Sequence, residues 1–241
     1  RYGCALGRLI FGLGEVTMLC RVTVALCFLL SVESLALAQS QSQPDNPPTP
    51  ESASTMDPPM VGDHWTYEVH DEITGALRNT NTSTITDVTP AEIAVRGQTL
   101  GNPNFGEYIY DHSWNIINSP LWKFSPNDGS GIKLPMTVGS SWKFQNNQIN
   151  TQHGITFKRS GSSKVVAQES VTTSAGTFDA FKVETTVEIR NVNDPSKKSV
   201  NETTLWYAPA VDHVVRQSVK VSANGHVDQR VSIELVDYGR R

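Results

Sequence analysis

Alternation of apolar and polar residues along short segments is the feature that most restricts how this chain can fold. Phe181, Val183 and Val187 alternate with polar or charged residues, and the same period of two recurs over Val215–Val221 and Val231–Leu235. Successive side chains of a β-strand point to opposite faces of its sheet. The pattern therefore predicts strands that bury one face and expose the other.

The last part of the chain, about Thr177–Tyr238, predicts a four-stranded antiparallel meander. Asn224-Gly225 separates the last two alternating segments, and this dipeptide favours a hairpin because both residues tolerate positive φ. Asn193–Ser196 predicts an earlier turn.

The first half predicts a further hairpin, with Ile85–Val88 and Glu92–Arg96 flanking Thr89-Pro90-Ala91. Thr89 and Glu92 also match a helix-capping box, but Gly97 follows too soon for more than one helical turn. After residue 60 no apolar pattern of helical period extends over ten residues. We therefore predict an all-β class, with a curved antiparallel sheet that forms a half-barrel or a sandwich in one domain over residues 61–238.

A short motif occurs twice, as VGDHWTYEV at Val61–Val69 and as VGSSWKFQN at Val138–Asn146, 77 positions apart. Each copy places a Gly three residues before a Trp and another aromatic residue two positions later. We interpret both copies as strand starts with core tryptophans, Trp65 and Trp142, and as traces of a degenerate internal duplication. The alternative is chance recurrence of a short pattern.

The first 38 residues have the composition of an export signal. One basic residue precedes the apolar run Val22–Leu30, and Ala36–Ala38 gives the small-residue pattern of a cleavage site. A signal of ordinary length begins at Met18, which predicts that residues 1–17 lie upstream of the true start. The apolar run is shorter than the ~20 residues that a membrane span needs. We expect a periplasmic or secreted protein with no membrane span after cleavage.

Residues 39–60 are rich in Pro, Ser and Gln and predict a disordered spacer. The three cysteines all lie within the export signal, so the exported chain depends on its core rather than on disulfides. A lipid anchor on Cys27 is the alternative to cleavage after Ala38, and the bulky Leu26 before it favours cleavage.

Charge excludes one class of partner. Without the signal, 17 basic and 22 acidic residues remain, and the basic residues form no cluster along the sequence. We therefore expect no nucleic-acid partner.

Three histidines directly follow an aspartate, at Asp63-His64, Asp111-His112 and Asp212-His213. Neighbouring strand residues point to opposite faces, so such a dipeptide does not by itself build a site. No zinc motif with paired histidines and no Gly-x-Ser-x-Gly occurs. We predict no catalytic residues, no metal, no cofactor, and a protein that is not an enzyme.

Aromatic residues are concentrated between Phe105 and Phe124. Aromatic side chains in a connecting segment line a ligand pocket or plug one end of a sheet. On the first interpretation the candidate ligand-binding residues are Tyr110, Trp114 and Trp122, together with Trp206 from the later meander.

Three segments, Gly62–Tyr67, Ala175–Val183 and Leu205–Pro209, resemble the "G-D-x-W-x-Y", "A-G-x-F-x-A-x-K-V" and "W-Y-A-P" signatures of a family of exported bacterial β-proteins. The resemblance spans about Val61–Tyr238. It implies a curved antiparallel sheet similar in shape to the half-barrels of lipoprotein carriers, and it implies no activity and no catalytic residue.

Two hypotheses follow. The first is a non-catalytic envelope protein whose curved sheet holds an apolar small molecule or an envelope protein partner. The alternative is an exported hydrolase that uses Asp and His residues, such as His112 or His213.

Overall fold

A computed structural model describes residues 57–223 and 225–240, which form an antiparallel sheet closed into a barrel. The strands are β1 (His64–Asp71), β2 (Leu77–Val88), β3 (Ile93–Thr99), β4 (Phe105–Tyr110), β5 (Ile116–Asn118), β6 (Trp122–Ser125), β7 (Ser141–Asn150), β8 (Thr156–Thr173), β9 (Gly176–Asn191), β10 (Lys198–Ala208), β11 (His213–Ala223) and β12 (His226–Gly239). Each strand pairs with its neighbours in sequence, and β1 pairs with β12. The predicted all-β class and curved antiparallel sheet are confirmed, and the curvature continues until the first and last strands meet.

The predicted export signal and most of the predicted spacer lie outside the described residues. Within the part of the chain that the structure describes, no helix has the length and hydropathy needed to cross a membrane.

The predicted four-stranded meander is confirmed as β9–β12, whose register is antiparallel throughout. Of its Asn-Gly turn, Gly225 has a φ of 83°, and Asn224 lies outside the described residues. The alternation found in the sequence buries Val183 and Val187 on one face of β9 and exposes Glu184 on the other.

The predicted hairpin around Thr89 is confirmed as β2–β3. The Thr89 hydroxyl accepts hydrogen bonds from the backbone N–H groups of Ala91 and Glu92, at 3.3 and 3.0 Å. The residues that match a capping box therefore close a turn between two strands.

The connections of the barrel lie on two rims, because an up-and-down meander reverses direction at every turn. We call the rim that contains the start of β1 and the end of β12 the proximal rim. The opposite rim, made by the turns that follow β1, β3, β5, β7, β9 and β11, is the distal rim.

The apolar core fills the barrel towards the proximal rim. Its members share almost complete burial and come from β1–β3, from β8–β12 and from the β10–β11 connection: Trp65, Ile85, Ile93, Val95, Val171, Phe178, Ala180, Ala208, Val211, Val215 and Leu235. A second cluster around Val165 and Val183 continues it. Towards the distal rim the interior becomes polar, as in the hydrogen bond between the hydroxyls of Ser163 and Thr185 at 2.8 Å.

The repeated motif starts a strand in the same way in both copies. Gly62 and Gly139 both have a φ of 95°, which favours glycine. Gly62 donates its N–H to the carbonyl of Ile85 at 2.9 Å, and Gly139 donates to Val165 at 2.8 Å. In each copy the partner residue returns a bond to the residue after the glycine, at 2.9 Å.

A change of register follows each of these partner residues, between Ile85 and Asp87 in β2 and between Val165 and Ala167 in β8. Trp65 is 1% exposed, and Trp142 is partly buried against the second cluster. The same device therefore begins the first strand of each half of the barrel, β1 and β7.

We expect Gly139→Ala to lower the free energy of unfolding by about 1–2 kcal/mol, since the added Cβ strains a backbone with positive φ. No atom lies within 4 Å of the new Cβ, so the loss isolates backbone strain from crowding. Urea denaturation measures it. Val138→Ala, a change at an exposed neighbour, is the matched control and should stay within about 0.5 kcal/mol; equal losses would contradict the strain argument.

Candidate functional site

A buried ionic cluster lies at the proximal rim, where the two ends of the described chain meet. Asp63 is fully buried and Asp212 is 6% exposed. The Arg240 Nε atom lies 3.1 Å from Asp63 Oδ2, and its Nη1 atom lies 4.0 Å from Asp212 Oδ2. Arg240 also donates from Nη2 to the carbonyls of Asp57 and Pro58, at 2.7 and 3.1 Å. Two carboxylates thus share one guanidinium, which also bonds to the backbone of Asp57 and Pro58 shortly before β1.

Asp212 is held by two further side chains. It follows a short 3-10 turn at Pro209–Val211 and has a φ of 50°. Its Oδ1 atom accepts hydrogen bonds from the Tyr207 hydroxyl at 2.7 Å and from the indole Nε1 of Trp114 at 3.2 Å. Trp114 itself has a φ of 57°. Within the described residues these are the two non-glycine positions with positive φ, and a hydrogen bond joins them; such strain is often found at functional sites.

The surroundings change how the groups of this cluster ionise. Burial raises the pKa of Asp212, although the hydrogen bonds from Tyr207 and Trp114 and the charge of Arg240 oppose the rise. Burial and the nearby Asp212 raise the pKa of Tyr207. The site therefore favours the protonated, neutral forms of Asp212 and Tyr207 more than water does.

His213 lies beside the cluster as a packed aromatic ring. Its ring stacks on Trp65 with centroids 4.3 Å apart and meets the edge of Trp114 at 4.6 Å. Burial lowers the pKa of His213 to about 4, so the ring is neutral at pH 7. Its Nδ1 atom lies 3.2 Å from the backbone carbonyl of Asp212, and this contact uses the main chain rather than the carboxylate.

A cavity of about 210 Å³ adjoins the cluster. Its apolar lining comes from the segment before β1 and from the β4–β5 and β6–β7 connections, and consists of Pro58, Pro59, Trp114, Ile132 and Leu134. Polar groups at its edge include Tyr207, Asp212 and His112. The cavity therefore combines an apolar wall with one buried carboxyl group and one buried hydroxyl group.

The structure brings together two of the four predicted ligand-binding residues. Tyr110 and Trp114 have ring centroids 5.7 Å apart, and Trp114 lines the cavity. Trp122 lies in β6 against Phe157, at 5.9 Å. Trp206 donates from Nε1 to Glu169 Oε1 at 2.6 Å and does not line the cavity. Ligand binding by these four residues stays a prediction.

The Asp-His dipeptides contribute in a way that their sequence does not reveal. Asp63 and Asp212 converge on Arg240, whereas His64 faces Asp237 at 3.7 Å and His112 Nε2 contacts the carbonyl of Thr89 at 2.7 Å. Within residues 57–223 and 225–240, no three His, Cys, Asp or Glu side chains are grouped so that they could hold a metal ion. The carboxylates therefore act as partners of an arginine.

Residues 129–223 match a family model described as DUF3108-like. The predicted family resemblance is confirmed. The matched range runs from the loop before β7 to the end of β11 and includes the signatures at Ala175–Val183 and Leu205–Pro209. The first signature, at Gly62–Tyr67, precedes it.

The solved structures that are similar to this chain include the following three. A candidate lipoprotein from Parabacteroides distasonis has 15% identity and a TM-score of 0.49, over 78% of this chain and 100% of that one. A candidate exported protein with a YmcC-like fold from Bacteroides fragilis has 15% identity and a TM-score of 0.46, over 76% and 98%. The hypothetical lipoprotein YmcC from Escherichia coli has 12% identity and a TM-score of 0.45, over 74% and 86%. A search of curated proteins finds no match.

We expect Arg240→Met to lower the free energy of unfolding at pH 7 by about 3 kcal/mol, because two buried carboxylates lose the cation between them. Chemical denaturation provides the measurement. Lys197→Met removes an exposed ion pair with Asp194 and should cost less than about 1 kcal/mol. A loss at Arg240 no larger than at Lys197 would show that the buried cluster carries little stability.

We expect the protein to lose stability as the pH falls from 6.5 to 4, in part because of His213. Its folded pKa of about 4 lies below the ordinary value of 6.5, so the unfolded chain binds a proton at this ring before the folded chain does. The contribution of His213 to the free energy of unfolding is therefore complete above pH 6.5 and is lost between pH 6.5 and 4. The loss should be no more than about 3 kcal/mol. In His213→Phe, which keeps a stacked ring, unfolding curves across this range should show a smaller loss. Identical pH profiles for the two proteins would refute the assignment.

Proposed function

We propose that this protein is exported to the cell envelope and binds a small amphiphilic molecule there without transforming it. The signal-like pattern before residue 39 supports export to the periplasm or beyond. The cavity at the proximal rim supports binding, and it is the observation that carries the proposal.

The size of the cavity limits its occupant. Pockets for whole drug-sized ligands occupy about 300–1,000 Å³, and an apolar cavity of about 150 Å³ holds a benzene ring. At about 210 Å³, this cavity fits one ring or the end of an alkyl chain. A larger ligand would insert one apolar part and leave the remainder outside.

The lining gives the chemical character of the ligand. Trp114, Ile132 and Leu134 offer apolar contact. The Asp212 carboxyl group accepts two hydrogen bonds at Oδ1 and has further acceptor capacity, because a carboxylate offers about four lone-pair sites. A ligand with an apolar ring or chain and a hydroxyl or amine donor therefore fits best.

The alternative, an exported hydrolase, requires a nucleophile within hydrogen-bond reach of a base. The ring of His213 contacts Trp65, Trp114 and a backbone carbonyl. The hydroxyl residue beside it, Tyr67, has its ring centroid 6.2 Å away and donates its hydroxyl to the backbone carbonyl of Val214 at 2.9 Å. This arrangement favours binding over catalysis.

Native mass spectrometry of the protein isolated from its own host tests the proposal, and we expect a bound molecule that organic solvent releases. Leu134→Trp, which enlarges a side chain at the cavity wall, should reduce the bound fraction at least fivefold. Leu121→Trp places the same side chain at an exposed position on the distal rim and should leave it unchanged. Retention of the molecule by both variants would place binding elsewhere, and a ligand-free wild type would overturn the proposal.

A further inference from the structure

Exposed apolar side chains recur at every turn of the distal rim. Each of the six turns carries, in the turn or within two residues of it, at least one large apolar side chain that is 38–80% exposed. They are Ile73 and Leu77, Leu100 and Phe105, Leu121, Ile155, Val192, and Val227. The most exposed are Leu100 at 80% and Ile73 at 79%.

The distribution differs at the proximal rim. There the exposed large apolar residues of the described chain lie near its two ends and in the β6–β7 loop, at Met60, Val61, Leu134, Val138 and Tyr238. The β2–β3, β4–β5, β8–β9 and β10–β11 connections carry no exposed large apolar residue. A single exposed apolar residue needs no explanation. Turns are usually polar, however, so exposed apolar residues at all six turns of one rim do need an explanation.

A row of cations borders this apolar ring. Lys158, Arg190 and Lys198 stand directly opposite one another on β8, β9 and β10, and all three are exposed. Arg190 is paired with Glu188 on its own strand, so the row carries a net charge of +2, from Lys158 and Lys198. Ile155 and Val192 lie in the adjacent turns.

Most acidic groups of the distal rim are already neutralised. Ion pairs join Asp71 to Arg78, Glu72 to Arg230, Glu188 to Arg190, and Asp194 to Lys197. Among the described residues, Glu107 in β4 faces Arg96 in β3, which leaves Lys123, Lys158 and Lys198 against Asp228. The rim is therefore locally cationic in a chain whose formal net charge is −4.

We propose that the distal rim docks on an anionic lipid surface. Single apolar side chains at separate tips can each enter the soft boundary between headgroups and acyl chains, whereas a rigid protein partner needs one contiguous apolar patch. The cation row then meets the lipid phosphates, each basic residue adding to the attraction. The ligand cavity lies at the opposite rim, so this surface is separate from the proposed binding function.

Flotation with vesicles tests the proposal. It compares vesicles of pure phosphatidylcholine with vesicles in which about one lipid in three is the anionic phosphatidylglycerol. The exported protein should float with the anionic vesicles and bind at least tenfold more weakly to the neutral ones. Ile73→Ser with Leu100→Ser should reduce binding at least tenfold. Lys158→Gln with Lys198→Gln should reduce it several-fold and flatten its salt dependence.

The control is Val61→Ser with Val138→Ser, a pair of exposed apolar residues at the proximal rim, 54% and 56% exposed, which should leave vesicle binding unchanged. All variants carry the same N-terminal segment, so it cannot cause a difference between them. The proposal would be overturned if the wild type did not float. It would also be overturned if the distal-rim variant, Ile73→Ser with Leu100→Ser, and the control lost the same amount of vesicle binding. A concentration-dependent dimer in analytical ultracentrifugation that the distal-rim variant abolishes would overturn it too, because the rim would then cover a second copy.

Discussion

Pairing of the first strand with the last is the constraint on which the rest of the structure depends. The β1–β12 ladder runs from His64 opposite Gly239 to Asp71 opposite Val231, and it removes the exposed edges that an open sheet would present. It also brings Asp63 next to Arg240, at 3.1 Å. Without closure the buried carboxylate would lose this cation, and the cavity would lose the segment at Pro58 that forms part of its wall.

Local patterns were sufficient to predict the strands, because a strand that buries one face has apolar residues at every second position of its own sequence. The β9–β12 meander and the β2–β3 hairpin follow from alternation and from turn residues such as Gly225. Closure could not be predicted in this way. It depends on curvature accumulated over twelve strands and on register changes, such as the one after Val165, that no short sequence pattern encodes.

The candidate site was only partly predictable for a related physical reason. The aromatic concentration correctly drew attention to Trp114, which lines the cavity. The polar half of the site comes from Asp63, Asp212 and Arg240, which are far apart in sequence and meet only when the barrel closes. The left-handed conformation of Asp212, which aims its carboxylate at Trp114, carries no sequence signal because aspartate adopts many conformations.

The proximity of residues 57 and 240, the two ends of the described part of the chain, has a topological consequence. Arg240 donates a hydrogen bond to the carbonyl of Asp57 at 2.7 Å, so a short peptide could join residue 240 to residue 57, and the barrel domain could instead be opened in the loop before β7. Such a circularly permuted molecule would begin on the second copy of the glycine turn, at Gly139, and would retain every ladder of the sheet. The strand pairs of the closed barrel therefore do not depend on which of its two halves comes first along the gene.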